Sequence, residues 1–245
     1  MRKTRKGYLP RADQWNRIGL AGRLFTAAVL ILLTAAITVG LTNQVRDRDR
    51  AAAAAAAAVA GPATLTEDGM IRVGDPAAPV VVTVTEDPQC ALCRSFVTVT
   101  GPALDALIAQ RRVAVDYDLV AIRDRDSTTG YSSRAVNASA CVAEADISRW
   151  PQWQRELYDE VPAPGTPGRT DDELIELASR AGIDPTPQFR ECVTTRRFGA
   201  YTAHRTERAV AAGLTHAPTV RVGATTVTNL TPEGLDAAVR TATSE

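Results

Sequence analysis

The feature that most constrains this chain is a Cys-x-x-Cys motif, Cys90-Ala91-Leu92-Cys93, between a predicted strand and a predicted helix. The strand is indicated by the β-branched apolar run at 80–85. A helix start favours a cysteine thiolate, because the first backbone N–H groups and the helix dipole stabilise negative charge there. The second cysteine comes about one turn later, within reach for a disulfide. The motif therefore indicates thiol–disulfide chemistry, although half of a zinc site has the same spacing.

An uncharged apolar stretch at 24–41 bears on the compartment in which that chemistry takes place. At about 1.5 Å per residue in a helix, its length approaches the roughly 30 Å of a bilayer's hydrocarbon core. Basic residues are concentrated in the preceding tail, 1–23, which by the positive-inside tendency stays cytoplasmic. A cleaved signal peptide is the alternative, but no small-residue cleavage box directly follows the stretch. We therefore predict a retained, single-pass signal-anchor, and either reading exports the domain that follows.

Charge is unevenly distributed along the chain, although its formal net charge is zero. Residues 1–50 hold ten Lys and Arg against three acids, which leaves 18 Arg against 25 acids, a net of −7, in residues 51–245. So acidic a main body argues against nucleic acid as a partner. The Ala-rich segment 42–64 is low in complexity and predicts a linker, either a helical stalk or a flexible tether.

The folded part is predicted to begin near residue 65 and to change character twice. Its first portion reads as a βαβ unit, in which Gly101-Pro102 interrupts the helix after the CxxC motif. The middle portion carries only helical signals, and the last portion reads as a strand, a hairpin and a helix that Thr231 and Pro232 begin. The pattern predicts an α/β fold with an inserted all-helical subdomain. The predicted strands are 70–74, 80–85, 112–120, 218–222 and 225–228, and the predicted helices of the insert are 131–146, 149–160, 171–181 and 186–211, the last broken near Phe198-Gly199.

This order of elements resembles that of DsbA-like thiol–disulfide oxidoreductases of the thioredoxin fold. The segment from Glu86 to Cys93 is similar to their active-site segment, and Thr215-His216-Ala217-Pro218-Thr219-Val220 is similar to their cis-proline segment. The resemblance covers roughly residues 65–244 and extends to the membrane-anchored mycobacterial type. It implies a thioredoxin domain at 65–126 and 215–245, a helical insertion at 127–214, and a single transmembrane helix before both.

The resemblance also implies a role for each residue near the motif. Cys90 would be the exposed nucleophile and Cys93 the resolving cysteine. Pro218 would be cis rather than an ordinary trans proline, Ala217 would offer its backbone to substrate, and His216 would lie either near the sulfurs or in an exposed turn. Between the two cysteines, many family members have a proline and the enteric enzymes also have a histidine. This chain has Ala91 and Leu92 there. The departure implies that the pKa of the first cysteine is less extreme than in those enzymes.

Four further residues are interpreted less directly. Cys141 and Cys192 stand where the mycobacterial type has a second disulfide, which would close a loop of about 50 residues and add on the order of 3–4 kcal/mol of stability; two unpaired buried thiols are the alternative. Glu86 and Asp87 could shuttle protons, raise the thiol pKa values, or form a solvated strand end. We leave these two acids outside the predicted catalytic set.

The leading hypothesis is an anchored extracytoplasmic oxidase that introduces disulfides into exported proteins through Cys90 and Cys93. By the same resemblance, its partners would be reduced or unfolded exported proteins and a quinone-linked membrane re-oxidant of VKOR or DsbB type. No cofactor and no metal are expected. The alternatives are a reductase or isomerase of the same fold, kept reduced by a membrane thiol carrier, and a non-redox metal- or protein-binding module.

Overall fold

A computed structural model of the chain describes residues 12–58 and 65–244. The first half of the expected basic tail, residues 1–11, and the last part of the expected linker, residues 59–64, lie outside the described residues. The chain falls into two compact units that divide near residue 55. The two units are described separately.

The described part of the first unit belongs to one long helix, α1, which spans Ala12–Ala58. Within it, Ala27–Arg48 has a mean hydropathy of 1.8, and none of this segment is buried. At about 1.5 Å per residue, these 22 residues are long enough and apolar enough to cross a membrane. Of the two forms considered for the Ala-rich linker, the described part, through Ala58, is helical.

The second unit is built on a five-stranded sheet with the order β1-β3-β2-β4-β5. Its central strands β2 and β3 run parallel, and all other neighbours are antiparallel. The parallel pair requires a helical crossover between its strands, which is the βαβ unit predicted from the sequence. The strands are β1, Ile71–Val73; β2, Val80–Glu86; β3, Val113–Leu119; β4, Thr219–Val222; and β5, Thr225–Thr226.

All seven residues of β3 are buried, including two aspartates. Asp116 receives two hydrogen bonds from the Arg72 guanidinium, at 2.6 and 2.7 Å. Asp118 pairs with Arg205 of the helical insert, at 2.6 and 3.0 Å. Buried carboxylates are tolerated where such partners compensate for lost hydration. The second pair thereby ties the insert to the centre of the sheet.

The crossover from β2 to β3 consists of two helices, α2 at Ala91–Val99 and α3 at Gly101–Ala109. Their axes are bent by 49° at the break, where Pro102 occupies the first turn of α3. This interruption is the one that Gly101-Pro102 predicted, because proline cannot donate the backbone hydrogen bond that a continuous helix needs.

The helical insert contains five α-helices between β3 and β4. Thr170 begins one of these helices with a capping box: its hydroxyl accepts a hydrogen bond from the Glu173 backbone N–H, and the Glu173 side chain accepts one from the Thr170 backbone N–H. The predicted last helix is two helices that break just before Gly199, as expected. The five are α4, Tyr131–Asp146; α5, Trp150–Asp159; α6, Asp171–Arg180; α7, Pro187–Thr194; and α8, Gly199–Ala211.

The last element is α9, Pro232–Thr243, which Thr231 caps through a hydrogen bond from the Gly234 backbone. Sheet, crossover helices and insert together confirm the predicted class, a mixed α/β thioredoxin-like fold with a helical insertion. This topology brings the end of β2, the start of α2 and the start of β4 to one place.

Candidate active site

The CxxC motif lies where β2 passes into α2, and Asp87 organises the turn between them. One carboxylate oxygen of Asp87 accepts hydrogen bonds from the Gln89 backbone (2.8 Å) and the Ser132 hydroxyl (2.6 Å). The other accepts from the Arg123 backbone N–H at 2.8 Å. Asp87 therefore joins the turn to the segment after β3 and to α4. It is fully buried, which excludes the solvated strand end, one of the alternatives considered for this residue.

Cys90 is the N-cap residue of α2, and its sulfur takes part in two hydrogen bonds. The Cys93 backbone N–H donates to Cys90 Sγ at 3.1 Å, and the Cys90 thiol donates to the Ala217 carbonyl at 3.2 Å. Only 1% of Cys90 is exposed. The prediction of an exposed nucleophile is therefore wrong for this structure, because the segment before β4 lies over the sulfur.

The pKa values of the two thiols are shifted in opposite directions. The pKa of Cys90 is lowered to about 7, chiefly by a hydrogen bond from the Cys93 side chain, with smaller contributions from backbone N–H groups and the positive charge of Arg123. The pKa of Cys93 is raised, first by burial, then by the hydrogen bond to Cys90 and by the negative charge of Glu86. Such a pair suits an attacking first cysteine and a protonated second one.

The Ala217–Pro218 peptide bond is cis, as the sequence predicted. The carbonyl of Ala217 points at the Cys90 sulfur. His216 is exposed, with its Nδ1 atom 3.1 Å from the Thr215 hydroxyl. Of the two settings considered for His216, it occupies the exposed turn.

An apolar groove of about 380 Å³ begins beside this cis-proline segment. One wall comes from α2, where Leu92 and Val99 are 68% and 59% exposed, unusual values for large apolar side chains. The other wall comes from residues 216–218 and from Leu230 and Thr231. The structure thus brings Cys90 and Cys93 to the same end of the sheet as His216, Ala217 and Pro218.

Glu86 ends β2 and is completely buried, so it is not a solvated strand end either. The Gln154 side-chain amide, from α5, donates to both of its carboxyl oxygens, at 3.1 and 2.9 Å. Burial raises the pKa of Glu86 to about 8, against the opposing effect of the Gln154 hydrogen bond. The negative charge of Cys90 raises this pKa further, which couples the carboxyl to the redox pair.

Cys141 and Cys192 form a disulfide that joins α4 to α7, so they lie in the helical insert rather than at the CxxC motif. Their thiols are therefore not available as zinc ligands to complete a half-site at Cys90 and Cys93. Within residues 12–58 and 65–244, no three His, Cys, Asp or Glu side chains are grouped in a way that could hold a metal ion.

Sequence reasoning missed Gln154 and Arg123 as neighbours of the redox pair. Gln154 stands within a helix pattern in which nothing marks it as functional, and its partner Glu86 is 68 positions away. Arg123 follows β3 in an arginine- and aspartate-rich run that looks like a solvated turn. For Glu86 the sequence does carry a signal: it is a charged residue at the end of a strand of valines and threonines, four positions before Cys90.

Comparison with known proteins agrees with this geometry. The family model described as Thioredoxin matches residues 66–241. The chain belongs to the thioredoxin family. Among solved structures, the oxidised DsbA of Mycobacterium tuberculosis is 30% identical, with a TM-score of 0.61, over 74% of this chain and 92% of that chain. The reduced disulfide bond oxidoreductase DsbG of the same organism is also 30% identical, with a TM-score of 0.58, over 74% of this chain and 86% of that one.

Two further proteins are similar to this chain. Oxidised BdbD from Bacillus subtilis is 17% identical, with a TM-score of 0.62 over 76% of this chain and 99% of that chain, and shares the fold. A curated relative, the serine/threonine-protein kinase PknE of M. tuberculosis, is 34% identical over 124 residues, which is 49% of this chain but 22% of the kinase. The predicted resemblance to DsbA-like thiol–disulfide oxidoreductases is confirmed.

Proposed function

We propose that this protein is a membrane-anchored, extracytoplasmic oxidase that introduces disulfides into exported proteins. The observation that carries the proposal is the Cys90 sulfur at the N-terminus of α2, with a pKa of about 7, held against the Ala217 carbonyl. A thiol of that acidity is partly ionised near neutral pH and is a good leaving group. Cys90 and Cys93 are the proposed catalytic residues.

The proposed reaction consists of two exchange steps. A substrate thiolate attacks the Cys90 sulfur of the Cys90–Cys93 disulfide, forms a mixed disulfide and releases Cys93 as a thiolate. Because its pKa is about 8, Glu86 is protonated at neutral pH and can donate the proton that Cys93 takes. A second substrate thiolate then attacks the substrate sulfur of the mixed disulfide and releases the Cys90 thiolate. The substrate loses two electrons and two protons overall, and the enzyme is left as a dithiol.

The apolar groove is the proposed site for the substrate peptide. Leu92 and Val99 offer apolar surface that an unfolded segment can cover, and the backbone before Pro218 can pair with an extended chain, as in strand addition. His216 and Ala217 would contact the residues that flank the substrate cysteine. Unfolded or reduced exported proteins are therefore the proposed substrates.

The proposed location rests on α1. Its apolar segment would cross the membrane once, with the basic tail in the cytoplasm and the thioredoxin-family domain outside. We keep the division predicted from the sequence: tail 1–23, anchor 24–41, linker 42–64, thioredoxin domain 65–126 with 215–245, and helical insertion 127–214. The anchor would bring the domain close to a quinone-linked membrane re-oxidant of VKOR or DsbB type.

A reductase or isomerase is the second candidate, and one observation favours it. The Cys90 pKa of about 7 is near that of thioredoxin, about 7, and well above that of DsbA, about 3.5. A less acidic first cysteine stabilises the reduced form less and gives a lower reduction potential. The absence of histidine between the cysteines has the same consequence.

The reduction potential of the full-length protein in detergent, equilibrated against glutathione buffers, separates these candidates. An oxidase requires a value well above the glutathione poise of about −220 to −260 mV, towards the about −120 mV of DsbA. A value near the about −270 mV of thioredoxin would exclude the oxidase and support the second candidate. Cys90→Ser is the matched control, since it removes the nucleophile and should abolish exchange; retained activity would dismiss both redox functions.

A further inference from the structure

The apolar groove follows one face of α2 along the length of the helix. Its α2 lining residues recur at positions i, i+3, i+4 and i+7, which is the spacing of a single helix face: Leu92, Ser95, Phe96 and Val99. Thr100 lines the groove where α2 ends, ten positions after Cys90. At about 1.5 Å per residue, this end lies roughly 15 Å along the helix from the reactive cysteine. An extended peptide, at about 3.4 Å per residue, covers that distance in about four or five residues.

Thr100 joins the two walls of the groove by a hydrogen bond. It is completely buried at the break between α2 and α3, and its hydroxyl donates to the Leu230 carbonyl of the opposite wall at 2.5 Å. A threonine that precedes a helix usually turns its hydroxyl back to cap that helix. Thr100 is the N-cap residue of α3, but its side chain makes no capping hydrogen bond. The hydroxyl therefore serves the groove rather than the helix.

The backbone of Thr100 is held by both helices. Its N–H group donates to the Phe96 carbonyl of α2 at 2.8 Å. Its own carbonyl accepts from the Ala103 and Leu104 N–H groups of α3, at 3.0 and 3.1 Å. The hydroxyl thus projects from a junction that two helices fix, so its position defines where the Leu230 carbonyl can lie.

The opposite wall belongs to the irregular segment 228–231, between β5 and α9. Within residues 65–244, the other hydrogen bonds of this segment stay inside it or go to α9: the Asn229 side chain accepts from the Thr231 N–H group, and Thr231 accepts from Gly234 and Leu235. The Thr100 hydroxyl therefore provides the hydrogen bond that ties this wall to α2. Breaking it is costly, because a buried hydroxyl and carbonyl would both lose their partner without gaining water.

We propose that Thr100 is a positioning residue that sets the width of the far end of the groove, and that this end selects an aliphatic side chain about four or five residues from the substrate cysteine. The inference rests on the proposed function and names a class of substrate for it. Val99 and Leu230 make this end apolar, and none of the described residues that line the groove is Asp, Glu, Lys or Arg. A groove of fixed width binds such a side chain with less loss of conformational freedom than one that the peptide must first order.

Two dithiol peptides test the proposal. They are identical except that one has leucine and the other serine at the fourth and fifth residues on each side of the cysteine pair. Full-length protein in detergent oxidises them with excess oxidised glutathione as the terminal oxidant, and kcat and KM are measured for each. The wild type should prefer the leucine peptide by about tenfold in kcat/KM, the lower end of the roughly 10–200-fold that one apolar group gains in a fitted pocket.

Thr100→Val keeps the size of the side chain and removes the hydroxyl. It should lower the preference to less than about threefold, mainly through a higher KM for the leucine peptide, because the wall is no longer tied. Thr100→Ser retains the hydroxyl and should retain the preference. Thr98→Val is the matched control, since Thr98 is exposed on the same helix and does not line the groove; its preference should equal that of the wild type.

Leu230→Ala provides a second test that leaves Thr100 in place. It shortens the wall that the hydroxyl holds and should also lower the preference, and adding Thr100→Val to it should lower the preference no further, because both changes act on the same wall. A further loss in the double variant, a preference retained in Thr100→Val, or a wild type that oxidises both peptides equally well would overturn this inference while the proposed function stands. A wild type that oxidises neither peptide would overturn both.

Discussion

The two cysteine pairs of this chain are equally buried, but one pair is reduced and the other is oxidised to a disulfide. All four side chains are at most 3% exposed. Cys90 and Cys93 are nevertheless free thiols, one turn apart, whereas Cys141 and Cys192 are 51 positions apart and joined in a disulfide. Exposure therefore does not distinguish the reactive pair from the structural pair.

What differs between the pairs is the polar environment of the sulfur. Around Cys90 there are a backbone N–H donor, a carbonyl acceptor, the positive charge of Arg123 and the carboxyl of Glu86. The second pair has only a long contact from Asn137, whose amide nitrogen is 4.0 Å from Cys141 Sγ. A cysteine whose surroundings stabilise the thiolate can take part in thiol–disulfide exchange, whereas a cysteine without such surroundings remains in its structural disulfide. Because Cys90 is as buried as the disulfide cysteines, we expect a substrate thiol to reach it only when the Ala217 segment that covers it moves.

The largest effect is expected from removing the structural pair. Cys141→Ala with Cys192→Ala opens a loop of 51 positions, and the chain-entropy model gives a loss of about 3–4 kcal/mol of stability. At about 2–4 °C per kcal/mol, the Tm of the full-length protein in detergent should fall by roughly 10 °C. Thiol exchange at Cys90 should be retained. The matched control, Cys90→Ser with Cys93→Ser, should abolish thiol exchange and leave the Tm nearly unchanged. A loss of Tm of similar size in that control would contradict the assignment of one pair to catalysis and the other to stability.

Much of the fold could be predicted from the sequence because its signals are local. Pro102 interrupts the crossover helix, Thr170 and Thr231 cap their helices, and the apolar run before the CxxC motif forms a central strand. Each of these depends on residues within a few positions of one another. The cis state of Pro218 was added by resemblance to a family.

The parts of the site that could not be predicted depend on contacts between distant residues. Cys90 is covered by Ala217, which is 127 positions away, and Glu86 is held by Gln154, 68 positions away. A pattern of neighbouring residues does not reveal such contacts, and the sequence alone is therefore compatible with a solvated strand end at Glu86 and Asp87. Burial raises the pKa values of both carboxyls, and Glu86 is the one whose pKa depends on the charge of Cys90.

Glu86→Gln sharpens the comparison, because only the reactive pair has a buried acid beside it. The pKa of Glu86 is about 8 in the folded protein, against the ordinary glutamate value of 4.5 in an unfolded chain. The native protein therefore binds the proton more tightly, and the contribution to stability is complete below about pH 4.5 and is lost as the pH rises to about 8. At pH 7 the glutamine variant should be more stable by roughly 3 kcal/mol, because the wild-type carboxyl must take up a proton when the chain folds and the glutamine amide need not.

Thermal unfolding between pH 5 and 8 tests this difference. The gap in Tm between the glutamine variant and the wild type should widen as the pH rises. Glu176→Gln, at a position whose side chain is 72% exposed, is the matched control and should show a small, constant difference. A gap for Glu86→Gln that does not change with pH would mean that the carboxyl is not protonated in the folded protein.

Arg123→Gln is expected to give the smallest effect. It tests how much of the lowered pKa of Cys90 comes from a nearby charge and how much from hydrogen bonds. The positive charge of Arg123 lowers the pKa of Cys90, but it ranks after the Cys93 hydrogen bonds and is half-exposed, paired with Asp126 at 2.6 Å. Removing it should raise the pKa of Cys90 by about half a pH unit or less, the size of one screened charge several ångströms away. The ultraviolet absorbance of the thiolate, followed through a pH titration of the reduced protein, measures the change. Arg125→Gln, two positions away and also exposed, should leave the pKa of Cys90 in place; an equal rise in both variants would show that the general charge of the loop, and not Arg123, acts on the sulfur.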